Sequence, residues 1–221
     1  MTDRTDLIII LDRSGSMQQG RADHEGGLRS FVRDAQALAG DVRLSFVRFD
    51  SHDPCEVVFE ARPVAEVKDE ELTLVPRGGT PLLDAVGAAL AKFAGFGERT
   101  VVMVITDGQE NESREWTKAR VQALVKEREA AGWKMLYLGA NVDAFAEAGQ
   151  AGIGAAGAMA YAATPRSTSA MYRTVSANLA ASAGAASAGA SWQAAAQNLN
   201  FTDAQRQAVI QPDDDDDKEN K

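Results

Sequence analysis

Short apolar runs alternate with amphipathic segments along most of the chain, from about residue 7 to residue 182. Runs that are apolar throughout are typical of strands that are covered on both faces of a sheet. The segment "CEVVFEA" (55–61) alternates instead, which predicts an antiparallel edge strand beside the preceding one. A weaker last strand is predicted at "AMAYAAT" (158–164). The continuous runs are "LIIIL" (7–11), "VRLSFVRF" (42–49), "TVVMVI" (100–105) and "KMLYLGA" (134–140).

The segments between these strands have helical periodicity. Pro81 is favoured at a first helical position, so Thr80 is the predicted N-cap of the helix that follows. Ser113 is the candidate cap of the next long helix, and Gly132 is its candidate stop. This order of elements predicts an α/β fold of the Rossmann-like, doubly wound type. Its central sheet is expected to have about six strands, parallel except for the antiparallel edge strand. The predicted helices cover about residues 21–39, 81–93, 113–132, 141–149 and 165–182.

The C-terminal part has a different composition. Residues 1–182 are expected to form one domain, and residues 183–221 begin with an Ala-, Gly- and Ser-rich stretch typical of a linker or a loose helix extension. Thr202 and Gln205 form a capping-box pattern, which predicts a short helix at 202–209. Five consecutive aspartates, at 213–217, predict a solvated, disordered tail. The alternative is that this acidic run is not part of the native protein.

Net charge and cysteine content limit the binding partners that the protein can have and indicate its cellular compartment. The 221 residues carry a net charge of −9, which disfavours binding to nucleic acid or to anionic membranes. No stretch approaches the ~18–20 apolar residues of a membrane span, and none resembles a secretory signal. Cys55 is the only cysteine, so no intrachain disulfide can form, and we interpret it as a small strand residue. A cytoplasmic location is therefore expected.

Oxygen-bearing side chains lie in three of the loops that connect the predicted strands and helices. Asp12, Ser14 and Ser16 follow the first strand, Thr80 precedes a helix after "RGG", and Asp107 follows the strand at 100–105. Individually, these residues are ordinary caps, turns and loop serines. Together they are five hard oxygen ligands at the carboxyl ends of adjacent strands, where open α/β sheets carry their functional loops. Such a set suits Mg²⁺, with Mn²⁺ or Ca²⁺ as possible substitutes.

The motifs "DRSGSM", "GGTPLLDA" and "ITDGQEN" resemble the three parts of the metal-ion-dependent adhesion site of von Willebrand factor A domains. The resemblance fills all five positions and covers about residues 5–182. It implies that the three hydroxyls contact the metal and that the two aspartates act partly through water. The region after "LGAN" resembles bacterial and phage cytoplasmic members, which implies a protein partner such as an AAA+ ATPase or another component of a multi-gene module.

The chemistry of the ligand set predicts an interaction module rather than an enzyme. Two aspartates neutralise one divalent cation and leave a water position that a partner's Asp or Glu can occupy. One alternative is a Mg²⁺-dependent phosphatase- or hydrolase-like enzyme. Phosphotransferases of the haloacid dehalogenase type have a second aspartate where this chain has Ser14, and His24 is the only nearby candidate for a general base.

The other alternative is a structural module whose metal loop is no longer functional, although such a loop is expected to lack at least one ligand. Glu110 and Glu112 also lie near the predicted site. We interpret them as negative charges at the start of a helix, where the helix dipole stabilises them. The alternative is that they repel unsuitable acidic partners.

Overall fold

A six-stranded sheet forms the centre of the molecule in the computed structural model, which describes residues 4–140 and 143–210. The strand order is β3-β2-β1-β4-β5-β6, and every neighbouring pair is parallel except β2 and β3. The predicted fold class and the antiparallel edge strand are therefore confirmed. The strands are β1 (Arg4–Asp12), β2 (Asp41–Phe49), β3 (Glu56–Pro63), β4 (Thr100–Thr106), β5 (Lys134–Ala140) and β6 (Ala158–Tyr161).

Helices cover both faces of this sheet. Alternate residues of β1 belong to two separate hydrophobic clusters, with Leu7 and Ile9 on one face and Ile8 and Ile10 on the other. This arrangement explains why the strand is apolar throughout. The first cluster includes α1 and α5 to α7, and the second includes α2, α3 and α4. The helices are α1 (Arg21–Gln36), α2 (Leu82–Lys92), α3 (Lys118–Ala130), α4 (Ala144–Ala151), α5 (Pro165–Ser187), α6 (Trp192–Ala195) and α7 (Asp203–Ile210).

Two predicted helix caps are wrong. Helix α2 begins at Leu82 with Pro81 at the N-cap, and no side chain at the cap accepts a hydrogen bond. Thr80 therefore lies one residue before the N-cap, and Ser113 accepts a hydrogen bond from Asp84 N of α2 instead of capping α3. Thr117 caps α3 by accepting from Arg120 N. The reason is tertiary: the long 107–117 loop folds back onto the first turn of α2 and supplies its missing acceptors.

After residue 182 the structure agrees at first with the helix extension that was one of the two predictions, and farther along it differs from the predicted linker. Helix α5 continues to Ser187, and Trp192, Leu199 and Phe201 are buried in the larger hydrophobic cluster. A few large apolar side chains among many small residues are enough to pack this segment against the domain. The average composition of the segment does not reveal them. Helix α7 occupies the place of the helix expected at 202–209.

Parts of two predictions lie outside the described residues: the acidic tail at 213–217 and the start of the helix expected at 141–149. Within the part of the chain that the structure describes, no helix is both long and apolar enough to cross a membrane.

Candidate metal site

Two of the three predicted loops leave the sheet side by side. Strands β1 and β4 are neighbours, and Leu11 pairs with Ile105 in their parallel register. The next residue of each strand, Asp12 and Thr106, therefore begins a loop at the same carboxyl edge. This explains how residues 91 positions apart in sequence, Ser16 and Asp107, come into hydrogen-bond contact.

Asp12 is a fully buried carboxylate at the end of β1. One oxygen, Oδ1, accepts a hydrogen bond from Ser14 N at 2.6 Å, and Oδ2 accepts from the Thr106 hydroxyl at 2.6 Å. Burial raises the pKa of Asp12 from 3.8 to about 6, and the charge of Asp107 adds to this rise. Both contacts orient the carboxylate, but neither donor carries a positive charge.

The serine hydroxyls connect the first loop to the third. Ser14 Oγ lies 3.0 Å from Ser16 Oγ, and Ser16 Oγ donates to Asp107 Oδ1 at 2.5 Å. Burial also raises the pKa of Asp107. Four of the five predicted site residues, namely Asp12, Ser14, Ser16 and Asp107, are thus joined by short polar contacts and one intervening backbone amide.

Thr80 is brought to the same edge by the "RGGT" loop. Gly15 N donates to Gly78 O at 3.0 Å, so the second loop runs along the first. Thr80 itself is buried, and its amide donates to Asn111 Oδ1 at 2.9 Å. A Cβ on Gly108 would lie 2.8 Å from Thr80 Oγ1, so the hydroxyl packs directly against the residue after Asp107. Thr80 therefore lies between the other two loops.

Asp50, at the end of β2, fastens the first two loops to each other. Its Oδ2 accepts from Arg13 Nε at 2.6 Å and from Arg77 Nε at 2.9 Å. Arg77 N also donates to Arg13 O at 2.8 Å. The carboxylate is completely buried and Arg13 is nearly so, whereas Arg77 is about half-exposed, so the Arg13–Asp50 pair is the part of the network that solvent screens least. Asp50 was not identified from the sequence, because one aspartate at a strand end gives no distinctive pattern.

Thr106 was also not identified from the sequence. It directly precedes Asp107 and completes the contacts of the buried Asp12 carboxylate. A threonine at the end of a β-branched strand is common, so only the register of β1 against β4 identifies its role.

His24 does not face the metal loops. Its Nδ1 lies 3.2 Å from the Tyr172 hydroxyl and its Nε2 lies 3.2 Å from the Tyr161 hydroxyl. Burial lowers the pKa of His24 from 6.5 to about 4, so the imidazole is neutral near pH 7. His24 lies close behind the site, because the Tyr161 hydroxyl that it contacts is also 3.5 Å from Thr106 O, but this part of α1 packs inward against α5 and β6 and does not present the imidazole to the loops as a base.

Glu110 has the structural role that was favoured for it. Its Oε2 accepts from Leu83 N at 2.8 Å and its Oε1 accepts from Ser113 N at 2.8 Å. It therefore supplies an acceptor to the first turn of α2 and closes its own loop. Glu112 is exposed, and a Cβ on Gly79 would lie 2.7 Å from its carboxyl group, so Glu112 packs over the "RGGT" loop.

The ligand set fits a hard divalent cation. Among the described residues, no group of three or more His, Cys, Asp and Glu side chains is placed to hold a metal, so a site here depends on hydroxyls as well as carboxylates. Two aspartates with raised pKa values lie beside the hydroxyls of Ser14 and Ser16, while Thr80 Oγ1 packs against Gly108, and a cation offsets the cost of burying those charges. Oxygen donors of this kind suit Mg²⁺, Mn²⁺ or Ca²⁺.

This sheet order, with its three loops at one edge, defines a domain of the von Willebrand factor A class. The chain belongs to the family of VWA domain containing CoxE-like proteins, whose family model matches residues 2–172. A comparison with curated protein sequences found no match.

Solved structures share the fold. Proximal thread matrix protein 1 from the mussel byssus is similar with a TM-score of 0.60 and 18% identity, over 80% of this chain and 47% of that one. A von Willebrand factor type A protein from Catenulispora acidiphila gives 0.59 and 16%, over 80% and 43%. Another structure of the mussel protein, described as having a zinc-occupied MIDAS motif, gives 0.59 and 17%, over 79% and 45%. The chain thus spans less than half the length of these proteins.

Proposed function

We propose that the protein is a divalent-metal-dependent protein-interaction module. In this proposal Mg²⁺ is held by Asp12, Ser14, Ser16, Thr80 and Asp107. The observation that carries it is the contact of Ser16 Oγ with both Ser14 Oγ and Asp107 Oδ1, which joins two of the three loops at one point. Thr80 packs against the third loop from the other side. When bound, the cation supplies a Lewis-acidic position at which a carboxylate can replace water.

The residues of the chain have separate tasks in this binding. Asp12 and Asp107 neutralise the cation, and the hydroxyls of Ser14, Ser16 and Thr80 complete the oxygen set without adding charge. An ion held by only two carboxylates stays electron-poor and favours a third carboxylate from outside. Mn²⁺ or Ca²⁺ can replace Mg²⁺ at such a site, and the zinc described for the mussel protein adds that ion to the set to be tested.

The proposed partner is a protein that presents an Asp or Glu side chain to the metal. The bacterial and phage type of the resemblance is what supports a cytoplasmic role beside an AAA+ ATPase or another component of the same module. Neither nucleic acid nor a membrane surface is proposed, because the chain carries a net charge of −9.

Metal and ligand binding by the purified protein tests the proposal. Calorimetric titration with Mg²⁺ or Mn²⁺ is expected to show one site that is lost in Asp12→Ala and Asp107→Ala. The matched control is Asp34→Ala, which removes an exposed carboxylate of α1 and is expected to bind as the wild type does. An aspartate-containing peptide is expected to bind only with the metal present. Metal binding that survives both site substitutions, or a metal site without carboxylate binding, contradicts the proposal; the latter result favours the structural module.

No hydrolytic activity is proposed. Both ring nitrogens of His24 are engaged by tyrosine hydroxyls, so this base is not available at the loops. Assays with nucleotides and phosphomonoesters are expected to show no Mg²⁺-dependent turnover. A turnover that disappears in Asp12→Ala would replace this proposal with the enzymatic one.

A further inference from the structure

Arg77 is held beside the proposed metal site by its backbone and by its side chain. Its amide donates to the carbonyl of Arg13, the residue after Asp12, at 2.8 Å. Its Nε donates to Asp50 Oδ2 at 2.9 Å, yet the side chain is 48% exposed. A buried carboxylate therefore fixes one edge of the guanidinium, while much of the group remains open to solvent.

Two neighbouring arginines are engaged more fully. Arg13 donates to Asp50 through Nε and to Glu56 through Nη1. Arg48 donates to Glu56 through both Nε and Nη2. Arg77, in contrast, donates from its side chain only through Nε, as far as acceptors among the described residues are concerned. Its Nη–H donors are therefore available to a carboxylate from outside, which a guanidinium binds through two parallel hydrogen bonds.

The strand register places the guanidinium of Arg77 close to the metal ligands. Asp12 pairs with the last residue of β2, so Asp50 begins its loop next to the loop that carries Ser14 and Ser16. Neighbouring strands lie ~4.8 Å apart, and the guanidinium lies one hydrogen bond away from the Asp50 carboxylate. Its distance from the ligand oxygens of the β1 loop is therefore about 5–10 Å.

The "RGGT" loop separates this guanidinium from a group of opposite charge. A Cβ on Gly78 would lie 2.8 Å from His52 Nδ1, so the loop after β2 packs against this glycine. A Cβ on Gly79 would lie 2.7 Å from the carboxyl carbon of Glu112, so the loop after β4 packs against the next one. A second acidic group of a partner is therefore repelled on the Glu112 side and attracted on the Arg77 side, which favours one orientation of the partner.

We propose that Arg77 is a subsite for a second carboxylate of the partner, so that the module recognises two acidic residues with one residue between them. This inference rests on the proposed function of the metal site. In an extended segment, alternate side chains point the same way and lie ~7 Å apart, which matches the separation of Arg77 from the metal ligands. One carboxylate then completes the metal coordination and the other binds the guanidinium.

The attraction comes from the hydrogen-bond donors of Arg77 and not from a large positive surface. The hydrogen bond to Asp50 raises the pKa of Arg77, and the charges of Glu56 and Asp53 add to the rise, so negative charge already lies close to the guanidinium. The new contact also stays exposed to water, which limits its strength. We expect it to increase affinity by about 3- to 10-fold at low ionic strength and by less as salt screens the pair.

Calorimetric titration of the full chain with three synthetic peptides at saturating Mg²⁺ tests this subsite. One peptide has a single aspartate, one has two aspartates separated by one glycine, and one has the same two aspartates about ten residues apart. The first peptide measures the metal contact alone, and the other two are matched in charge. We expect the closely spaced pair to bind about 3- to 10-fold more tightly than the widely spaced pair.

The first peptide separates this inference from the proposed function. If the single-aspartate peptide does not bind, the proposed function is wrong. If it binds with the metal present and the two paired peptides have equal affinities, the Arg77 subsite is wrong and the metal site stands.

The variant Arg77→Gln is expected to abolish the difference between the two paired peptides. Because this change also alters the contacts of Asp50, the ratio of the two affinities is compared within each variant. Arg33→Gln, at a side chain on α1 that is 63% exposed, is the matched change of charge and is expected to keep the wild-type ratio. A ratio that survives in Arg77→Gln, or that is lost equally in Arg33→Gln, overturns the proposal.

NMR spectra of the wild type provide a test that does not depend on a variant. We expect the Nε–H signal of Arg77 to shift when the closely spaced pair binds and to stay in place when the single-aspartate peptide occupies the site to the same degree. An Arg77 signal that the paired peptide leaves unchanged overturns the subsite, whereas loss of all peptide binding in the presence of a chelator still supports the metal site.

Discussion

The hydroxyl of Thr106 donates to Oδ2 of Asp12 at 2.6 Å, across the boundary between β1 and β4. Both side chains are fully buried. The same hydroxyl accepts from Gly108 N at 3.1 Å, so it also fixes the backbone that carries Asp107. One uncharged side chain therefore orients the deepest carboxylate of the proposed metal site and the loop that supplies the second carboxylate.

Replacement of Thr106 by valine is expected to weaken metal binding about 10- to 100-fold, as is typical when a group that orients a metal ligand is removed. The matched control is Thr100→Val at the opposite end of the same strand, where the hydroxyl donates to Gly97 O. Calorimetric titration with Mn²⁺ measures both variants. Thr106→Ser keeps the hydroxyl and is expected to retain most of the affinity, and equal losses in Thr106→Val and Thr100→Val would contradict the role given to Thr106.

Asp12 is expected to destabilise the metal-free fold at neutral pH. Burial raises its pKa from 3.8 to about 6, so the folded state holds this proton more tightly than the unfolded state does. The stability that the protonated carboxyl gives the fold is therefore lost as pH rises from about 4 to about 6, and the ionised carboxylate is a cost above that range. With a chelator at pH 7, Asp12→Asn is expected to raise the free energy of unfolding by about 1–3 kcal/mol.

Urea denaturation of Asp12→Asn and wild type, with a chelator and with Mg²⁺, measures this difference. Mg²⁺ is expected to stabilise the wild type and to leave Asp12→Asn unchanged. A variant that is less stable than the wild type in the presence of a chelator would show that the ionised carboxylate supports the fold.

The strands and the three motifs could be predicted from sequence because their signals are local. The run at 7–11 is apolar throughout since its residues are buried alternately on the two faces of the sheet. Asp12, Ser14 and Ser16 form one short motif, so their proximity needs no knowledge of the fold. Their contact with Asp107 needs only the assumption that β1 and β4 are neighbours.

The remaining features depend on contacts that are distant in sequence. Asp50 joins Arg13 to Arg77 through a buried carboxylate, and nothing in the residues around Asp50 indicates this. Ser113 is a reasonable cap for the helix after it, but the 107–117 loop uses it for α2. The segment after residue 182 was misread because the burial of Trp192 depends on a surface formed by other elements.

Gly108 is expected to be required for the position of Thr80. A Cβ at this residue would lie 2.8 Å from Thr80 Oγ1, closer than side chains normally approach, so Gly108→Ala must displace the hydroxyl. We expect metal affinity to fall by about 10-fold, in the range found for disturbed ligand positions. Gly97→Ala is the control, because a Cβ there meets no atom within 4 Å. Wild-type Mn²⁺ affinity in Gly108→Ala would exclude Thr80 from the ligand set.

Trp192 tests whether residues 183–210 belong to the folded domain. Its side chain is buried, and Nε1 donates to Gly132 O at 2.6 Å. Trp192→Ala is expected to lower the free energy of unfolding by about 3–5 kcal/mol, as for other buried large aromatic residues. Trp192→Phe keeps most of the packing and is expected to lose about 1 kcal/mol with the hydrogen bond. Denaturant titration measures both variants, and an unchanged midpoint in Trp192→Ala would restore the interpretation of this segment as a linker.

His24 is expected to make the fold sensitive to acid. Burial lowers its pKa from 6.5 to about 4, so the unfolded state binds the proton first as the pH falls. Stability is therefore lost between about pH 6.5 and pH 4, by up to about 2–3 kcal/mol. His24→Gln can still bond to the Tyr161 and Tyr172 hydroxyls, and it is expected to remove this loss.

Asp12 changes the free energy of unfolding in the opposite direction over the same pH range, because its protonation stabilises the metal-free fold whereas protonation of His24 destabilises it. The double variant Asp12→Asn/His24→Gln is therefore compared with the single variant Asp12→Asn, which is its parent. Urea denaturation between about pH 6.5 and pH 4 measures the free energy of unfolding of both. His52→Gln, at a side chain that is 64% exposed, is the matched control and is expected to follow the parent. If His24→Gln loses as much stability on acidification as the parent, the protonation of His24 is not what destabilises the fold in acid.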